Sequence, residues 1–311
     1  MDLIKRTHPE LREVLLQLPE FYLPEDLERI RKNQPPEPRR SDKVKIHERK
    51  IEGKDGHEMI VRIYEPAEQN GEAKRPALLW IHGGGYIMGH PSHDDDLLQE
   101  IVETVGCVVF SPDYRLAPEH PFPAGLEDCY STLLWISQSY EEFKIELSRL
   151  AIGGASAGGG MTAALALLAR DRKGPKICFQ MPLYPMIDDR NMTPSSHEIT
   201  HPAVWNRRNN LAAWSMYLGD GDREDVSPYA APIRADNLAD LPPTYTCVGQ
   251  LDPFRDETIE YVMRLAQAGV EVEFHLYPGG YHAFEIAAPD APISRKARSE
   301  YIGALSRALQ S

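Results

Sequence analysis

The chain has 311 residues, with 34 Lys and Arg against 47 Asp and Glu and a formal net charge of −13. That length admits one large α/β domain or two smaller ones, and the acidic balance, with no basic tract to reverse it, argues against nucleic acid or an anionic membrane surface as a partner. The longest uninterrupted apolar run, Ala163 to Ala169, is too short to span a bilayer, and Met1 to Arg6 carries no apolar signal core, so the expectation is a cytoplasmic protein without stable membrane anchoring.

Leu11, Val14, Leu15 and Leu18 fall at helical spacing, and Leu23 to Ile30 suggests a second short helix before Pro35-Pro36-Glu37-Pro38. Such a segment is too small to fold alone and needs a surface to cover. From Val44 the pattern alternates: Val44 and Ile46 precede a Lys54-Asp55-Gly56 turn, and Met59, Val61 and Ile63 follow it, which reads as an antiparallel hairpin.

Short apolar strands then alternate with helical segments. The strands are Ala77 to Ile81, Cys107 to Phe110, Leu150 to Ile152, Cys178 to Pro182, Tyr245 to Val248 and Val270 to Leu276. That alternation predicts an α/β fold, a mostly parallel sheet flanked by helices, with the hairpin added antiparallel at one edge. Ser92 and Asp95 have the spacing of a capping box before a helix over Leu97 to Val105; further helices are expected over Met161 to Arg170 and after Ala124, Phe254 and Ile293. Residues 186–241 break the rhythm: long, polar and rich in Asn, Arg and Asp, they read as an insertion over a site. The expected division is 1–42 as N-terminal cap helices and 43–311 as one α/β domain, with the cap insertion at about 186–241.

The chemistry is announced at Gly154-Ala155-Ser156-Ala157-Gly158, where an apolar strand meets an alanine-rich helix. A serine hydroxyl is a poor nucleophile at neutral pH, so it must be exposed, near a base and near donors for an oxyanion. A sharp strand-to-helix turn exposes it, and the two glycines remove side chains where strand and helix would collide. In this architecture an acid and then a histidine follow at the C-terminal ends of later strands. Only His275 and His282 come after the penultimate strand; His275 alternates within a strand, whereas His282 lies beyond Pro278-Gly279-Gly280-Tyr281. Asp252 directly follows the strand ending at Val248. Asp256 is its rival, but falls in the following helix, where capping and the helix dipole account for it. Upstream, His82-Gly83-Gly84-Gly85-Tyr86 follows a strand, and its glycines can turn backbone N–H groups toward a carbonyl oxygen. Gly84, Gly85 and Ala157 would give three donors.

These stretches, with Asp113-Tyr114-Arg115-Leu116-Ala117-Pro118-Glu119, Asp252-Pro253-Phe254-Arg255-Asp256-Glu257 and His282-Ala283-Phe284, resemble the hormone-sensitive lipase group of α/β-hydrolase carboxylesterases from about residue 75 to the end. The resemblance implies Ser156 as nucleophile, His282 as base, Asp252 as its orienting acid, and Gly84, Gly85 and Ala157 as the oxyanion hole. It also implies a helical cap, a small-molecule ester substrate of short to medium acyl length, and no cofactor or metal. The last strand and helix of such folds often form a dimer edge, which leaves a homodimer open. The chain departs from the family pattern at Ala155, where Asp or Thr is common, at Gly160, where Asn is frequent, and at Ala283, where Gly is usual; these bear on fine specificity more than on the reaction.

Other motifs point elsewhere. His197-Glu198-Ile199-Thr200-His201 spells the zinc-protease pattern, which needs both histidines on one helix face, yet Pro202 biases His201 away from helix. His90, His93 and Asp94 to Asp96 read as a solvated helix start. Asn191-Met192-Thr193 is a glycosylation sequon, idle without secretion. The four cysteines, Cys107, Cys129, Cys178 and Cys247, have no C-x-x-C spacing and read as small hydrophobes in a reducing compartment. Two alternatives to an esterase are a non-catalytic small-molecule-binding homologue, as the gibberellin receptors of plants are, and a zinc peptidase.

Overall fold

The computed structural model describes residues 2–33, 41–68, 73–221 and 223–310, so the Pro35-to-Pro38 run lies outside the described residues. Three short helices, α1 (Leu3–Arg6), α2 (Pro9–Gln17) and α3 (Leu27–Arg31), precede an eight-stranded sheet. The hairpin forms as expected: β1 (Val44–Glu52) and β2 (Glu58–Pro66) pair antiparallel, Val44 opposite Pro66 and Glu52 opposite Glu58. The remaining strands are β3 (Arg75–Ile81), β4 (Val108–Pro112), β5 (Ile145–Ala155), β6 (Phe179–Leu183), β7 (Thr244–Leu251) and β8 (Val272–Tyr281). Their order is β1-β2-β4-β3-β5-β6-β7-β8, with β2 antiparallel to β4 and every later pairing parallel.

A parallel strand covered by helices on both faces must be apolar throughout. β3 obeys this: Ala77, Leu78, Leu79, Trp80 and Ile81 are all buried. One layer packs α5 (Ala124–Gln138), α6 (Ala157–Asp171) and α9 (Arg255–Gln267) against the sheet; α4 (Asp95–Val105) and α11 (Pro292–Gln310) contribute to the other. α6 is buried on nearly every face, which its Ala and Leu content permits.

The expected capping box before α4 does not form. A short 3-10 turn over Pro91–Asp94 intervenes, and the His90 side chain caps that turn by accepting from the N–H of Ser92. Asp95 is drawn into the sheet instead, where both of its carboxylate oxygens accept from Arg62 and one also accepts from the Tyr64 hydroxyl. A buried carboxylate satisfied by a forked arginine outweighs a local cap.

Residues 186–241 carry α7 (Pro194–Glu198), α8 (Arg207–Leu218) and a 3-10 turn over Pro232–Arg234. The N-terminal segment rests on this insertion: Leu23 N–H donates to Asn209 Oδ1 at 2.9 Å, Asn209 Nδ2 to the Phe21 carbonyl, and Phe21 N–H to the Pro202 carbonyl. Among the described residues no helix is long and apolar enough to cross a membrane.

The end of strand β3 and the start of helix α6 meet so closely that a Cβ on Gly158 would lie 2.0 Å from the Ile81 carbonyl oxygen and 2.6 Å from that of His82. Both obstacles are backbone and cannot rotate aside. Gly158→Ala should therefore destabilise the protein by about 3 kcal/mol, the upper end of the range for overpacking, read as a lower urea midpoint with an unchanged denaturant slope. A midpoint equal to that of the parent would show that the junction is looser than this.

Candidate active site

Ser156 stands between β5 and α6 with φ 58° and ψ −118°, a left-handed conformation that costs a non-glycine residue on the order of 1–3 kcal/mol. The close junction maintains it: a Cβ on Gly154 would lie 2.5 Å from both the Gly158 and Ile81 carbonyls. Its backbone is tied on both sides, N–H to the Leu183 carbonyl and carbonyl to the N–H groups of Gly160 and Met186. The turn carries the Ser156 side chain to a cavity of about 810 Å³.

Two later loops reach the same point. The Ser156 hydroxyl lies 2.9 Å from His282 Nε2, and His282 Nδ1 lies 2.8 Å from Asp252 Oδ2. An ionised carboxylate only accepts, so Nδ1 carries the imidazole proton and Nε2 is left to accept from the hydroxyl. Asp252 is fully buried, and its Oδ1 accepts from the Phe254 N–H at 2.8 Å. The rings of Tyr184, Phe254 and Trp205 surround His282, with centroids at 5.2, 5.1 and 6.4 Å. A low-polarity cage of this kind strengthens charge interactions inside it.

The glycine loop forms the facing wall. Gly83, Gly84 and Gly85 line the cavity; φ is 122° at Gly84, a value side chains rarely adopt, and 61° at Gly85. Among the described residues no turn or loop carbonyl takes up the N–H of Gly84, Gly85 or Ala157. Several contacts fix the loop's shape. His82 is fully buried, a position that pushes its imidazole down to about 3 and keeps it neutral, so that Nδ1 donates to the Gly83 carbonyl at 2.8 Å. Tyr114 stacks on His82 and donates to its carbonyl. Arg115 in turn forks onto buried Asp128, which pins the Asp113-to-Glu119 stretch. Arg31, from α3, donates to the carbonyls of Ile87 and Ala117 and to both oxygens of Glu119, whose carboxyl is held down to about 2 by that pairing.

The structure thus brings together Ser156, His282, Asp252 and the glycine loop. It leaves the rivals outside: Asp256 accepts from Ser195 N–H and pairs with Arg255, and His275 stays on β8 between Glu273 and Glu300. In the zinc-protease pattern, α7 ends at Glu198 and excludes His201, and no cluster of His, Cys, Asp and Glu among the described residues has the arrangement of a metal site. The four cysteines carry free thiols. Besides Trp205 and Arg31, residues at or beside the site that fall in no sequence motif include Tyr184, at the end of β6, and Glu285, on α10 (Phe284–Ala287), which are linked by a hydrogen bond. Their only signal is position, after a strand end and three residues past the histidine.

A strained serine at a strand-to-helix elbow on a mostly parallel sheet defines the α/β-hydrolase class. The family model for the alpha/beta hydrolase fold matches residues 78–286. The esterase LipI of Mycobacterium tuberculosis is 37% identical over 244 residues, 78% of this chain and 76% of LipI; the carboxylesterase NlhH of the same organism is 34% identical over 86% of this chain and 83% of NlhH. Among solved structures, a bacterial heroin esterase superposes with a TM-score of 0.92 at 38% identity over 99% of each chain, and the esterase LipW of Mycobacterium marinum with 0.88 at 30%, over 100% of this chain and 98% of LipW. The chain belongs to the hormone-sensitive lipase group of the α/β-hydrolase family and is a carboxylic ester hydrolase.

Proposed function

We propose that the protein is a serine carboxylesterase that cleaves short to medium acyl esters through an acyl-enzyme, with Ser156 as nucleophile, His282 as general base and Asp252 as its orienting acid. The observation that carries this reading is the unbroken hydrogen-bonded path from the Ser156 hydroxyl through both nitrogens of His282 to the buried carboxylate of Asp252, at 2.9 and 2.8 Å. As Ser156 attacks the ester carbonyl, His282 takes its proton and Asp252 stabilises the resulting imidazolium. Charge gathers on the carbonyl oxygen, and the N–H groups of Gly84, Gly85 and Ala157 receive it; one such donor typically supplies about 2.7–4 kcal/mol. His282 then protonates the leaving alcohol and later activates the water that frees the acid.

The α1–α3 segment, as part of residues 1–42, and the insertion at about 186–241 form the cap in this reading. Its support is Trp205, which lines the cavity and stands where a Cβ on Gly85 would lie, 2.5 Å from the ring. Acyl length would be set there. The free thiols fit a reducing compartment such as the cytoplasm, and a homodimer would use β8, which ends the sheet.

Covalent trapping tests the reaction directly. Mixing with an activated aryl acetate should give a burst of one phenolate per chain and a mass increase of one acetyl group, located on the peptide that holds Ser156. Linear product release with no adduct under rapid acid quench, from enzyme that turns over, would count against an acyl-serine intermediate. The same assay over acyl lengths from acetate to laurate should show kcat/KM falling beyond medium chains.

A further inference from the structure

Beside the site lies a second buried carboxyl group that the reaction above does not use. Glu285 is 2% exposed and sits three residues after His282. Its Oε1 accepts from the Tyr184 hydroxyl at 2.5 Å, and Oε2 is buried with no hydrogen-bond partner. Among the described residues no arginine or lysine pairs with it. A buried carboxyl with one side-chain donor, its own backbone N–H and no paired cation is a costly group to keep, since removing a charge from water is repaid only by partners. Tyr184 connects it to the chemistry: the ring stands edge-on to His282 and lines the substrate cavity.

Resting on the reading of Ser156 and His282 as nucleophile and base, we propose that Glu285, held by Tyr184, is a positioning residue that joins Asp252 in stabilising the protonated imidazole of His282 as Ser156 attacks. The cation missing from its surroundings is then the one the reaction creates. An interaction stronger in the transition state than in the resting enzyme is one that accelerates the step.

The groups facing Glu285 come from every neighbouring element: Tyr184 from β6, Cys247 and Asp252 from β7 and the loop after it, Tyr281 and His282 at the end of β8, Tyr301 from α11, and Asp94 before α4. Burial pushes the three tyrosines and the thiol upward, so they stay neutral over the working range. The charges that matter are therefore His282 when protonated and the carboxylates of Asp252, Asp94 and Glu285. Burial also raises Glu285 above the usual carboxylate range, opposed by the Tyr184 hydrogen bond, then by its own backbone N–H and the His282 charge.

Activity fails at low pH when His282 is protonated, and a neighbouring carboxylate favours that protonated form. Removing the carboxylate should move the acid limb of kcat/KM to lower pH and also weaken the base.

The test is the pH profile of kcat/KM for the full chain with an aryl ester that does not titrate between pH 4 and 9. Glu285→Gln should shift the acid limb down by about half to one pH unit and lower the plateau roughly three- to tenfold. Tyr184→Phe leaves Glu285 in place but removes its donor, so its proton is held to higher pH; the limb should shift in the same direction by less, with no further shift in the double variant. A plateau that drops with the limb unmoved would assign Glu285 a structural role only, and a limb moving to higher pH would overturn the proposal outright. Should Glu285→Gln fail to fold, an unmoved limb in Tyr184→Phe overturns it alone. Labelling of Ser156 by a fluorophosphonate, run on the parent, separates this failure from failure of the underlying site: a labelled serine with an unmoved limb removes Glu285 alone.

Discussion

Ser156→Ala should lower turnover of an activated aryl ester by about 10⁶ while leaving the fold intact. The size follows from how such sites work: the nucleophile, base and acid act as one unit, and removing the nucleophile alone costs nearly as much as removing all three. Little else changes. Alanine keeps the Cβ, so it meets the same neighbours, and it tolerates φ 58° no worse than serine does. The backbone bonds of residue 156 to Leu183, Gly160 and Met186 involve no side chain and persist. Only the hydroxyl donation to His282 Nε2 disappears, a bond worth about 0.5–1.5 kcal/mol to stability. Two readouts should therefore separate, with activity near background and an unfolding free energy within about 1 kcal/mol of the parent. Turnover within tenfold of the parent would remove Ser156 from the reaction; matched losses of activity and stability would assign it a structural role.

Parts of this site are legible in the sequence because their chemistry is local. The elbow needs glycines two residues either side of the serine, and the structure gives the steric reason at Gly154 and Gly158, where a Cβ would meet backbone carbonyls. The glycine loop follows an apolar strand, and Asp252 and His282 follow the last two strands, so parallel topology alone delivers all of them to one edge of the sheet. What is not legible depends on tertiary partners. Asp95 reads as part of a cap because the sequence does not reveal Arg62 and Tyr64 waiting across the hairpin. Arg31 falls just past the helix expected over Leu23 to Ile30 and in no motif, yet it holds the carbonyls of Ile87 and Ala117, beside the glycine loop. Glu285 falls after the histidine in no motif, and its burial against Tyr184 comes from a residue 101 positions away in the chain.

Asp252→Asn should reduce kcat/KM by about 10⁴ at neutral pH, although the two side chains have nearly the same shape. Donors and acceptors decide the outcome. Asp252 accepts twice, from His282 Nδ1–H through Oδ2 and from Phe254 N–H through Oδ1. Asparagine offers one oxygen and one amino group, so one of the two partners must face a donor. The Phe254 amide cannot give up its proton, whereas the imidazole can move its own to the other nitrogen. The amide oxygen therefore turns to Phe254 and the amino group to His282, which must then accept at Nδ1 and carry its proton on Nε2. That nitrogen faces the Ser156 hydroxyl, and a nitrogen that already bears a proton cannot take another as a base. The site would keep its packing and lose its proton acceptor, so the fluorophosphonate reaction should slow in step with ester hydrolysis while urea unfolding changes little. A loss below tenfold would mean that the tautomer of His282 is set elsewhere; Asp256 is the first candidate to fail in turn, because its carboxylate is already committed to Ser195 and Arg255.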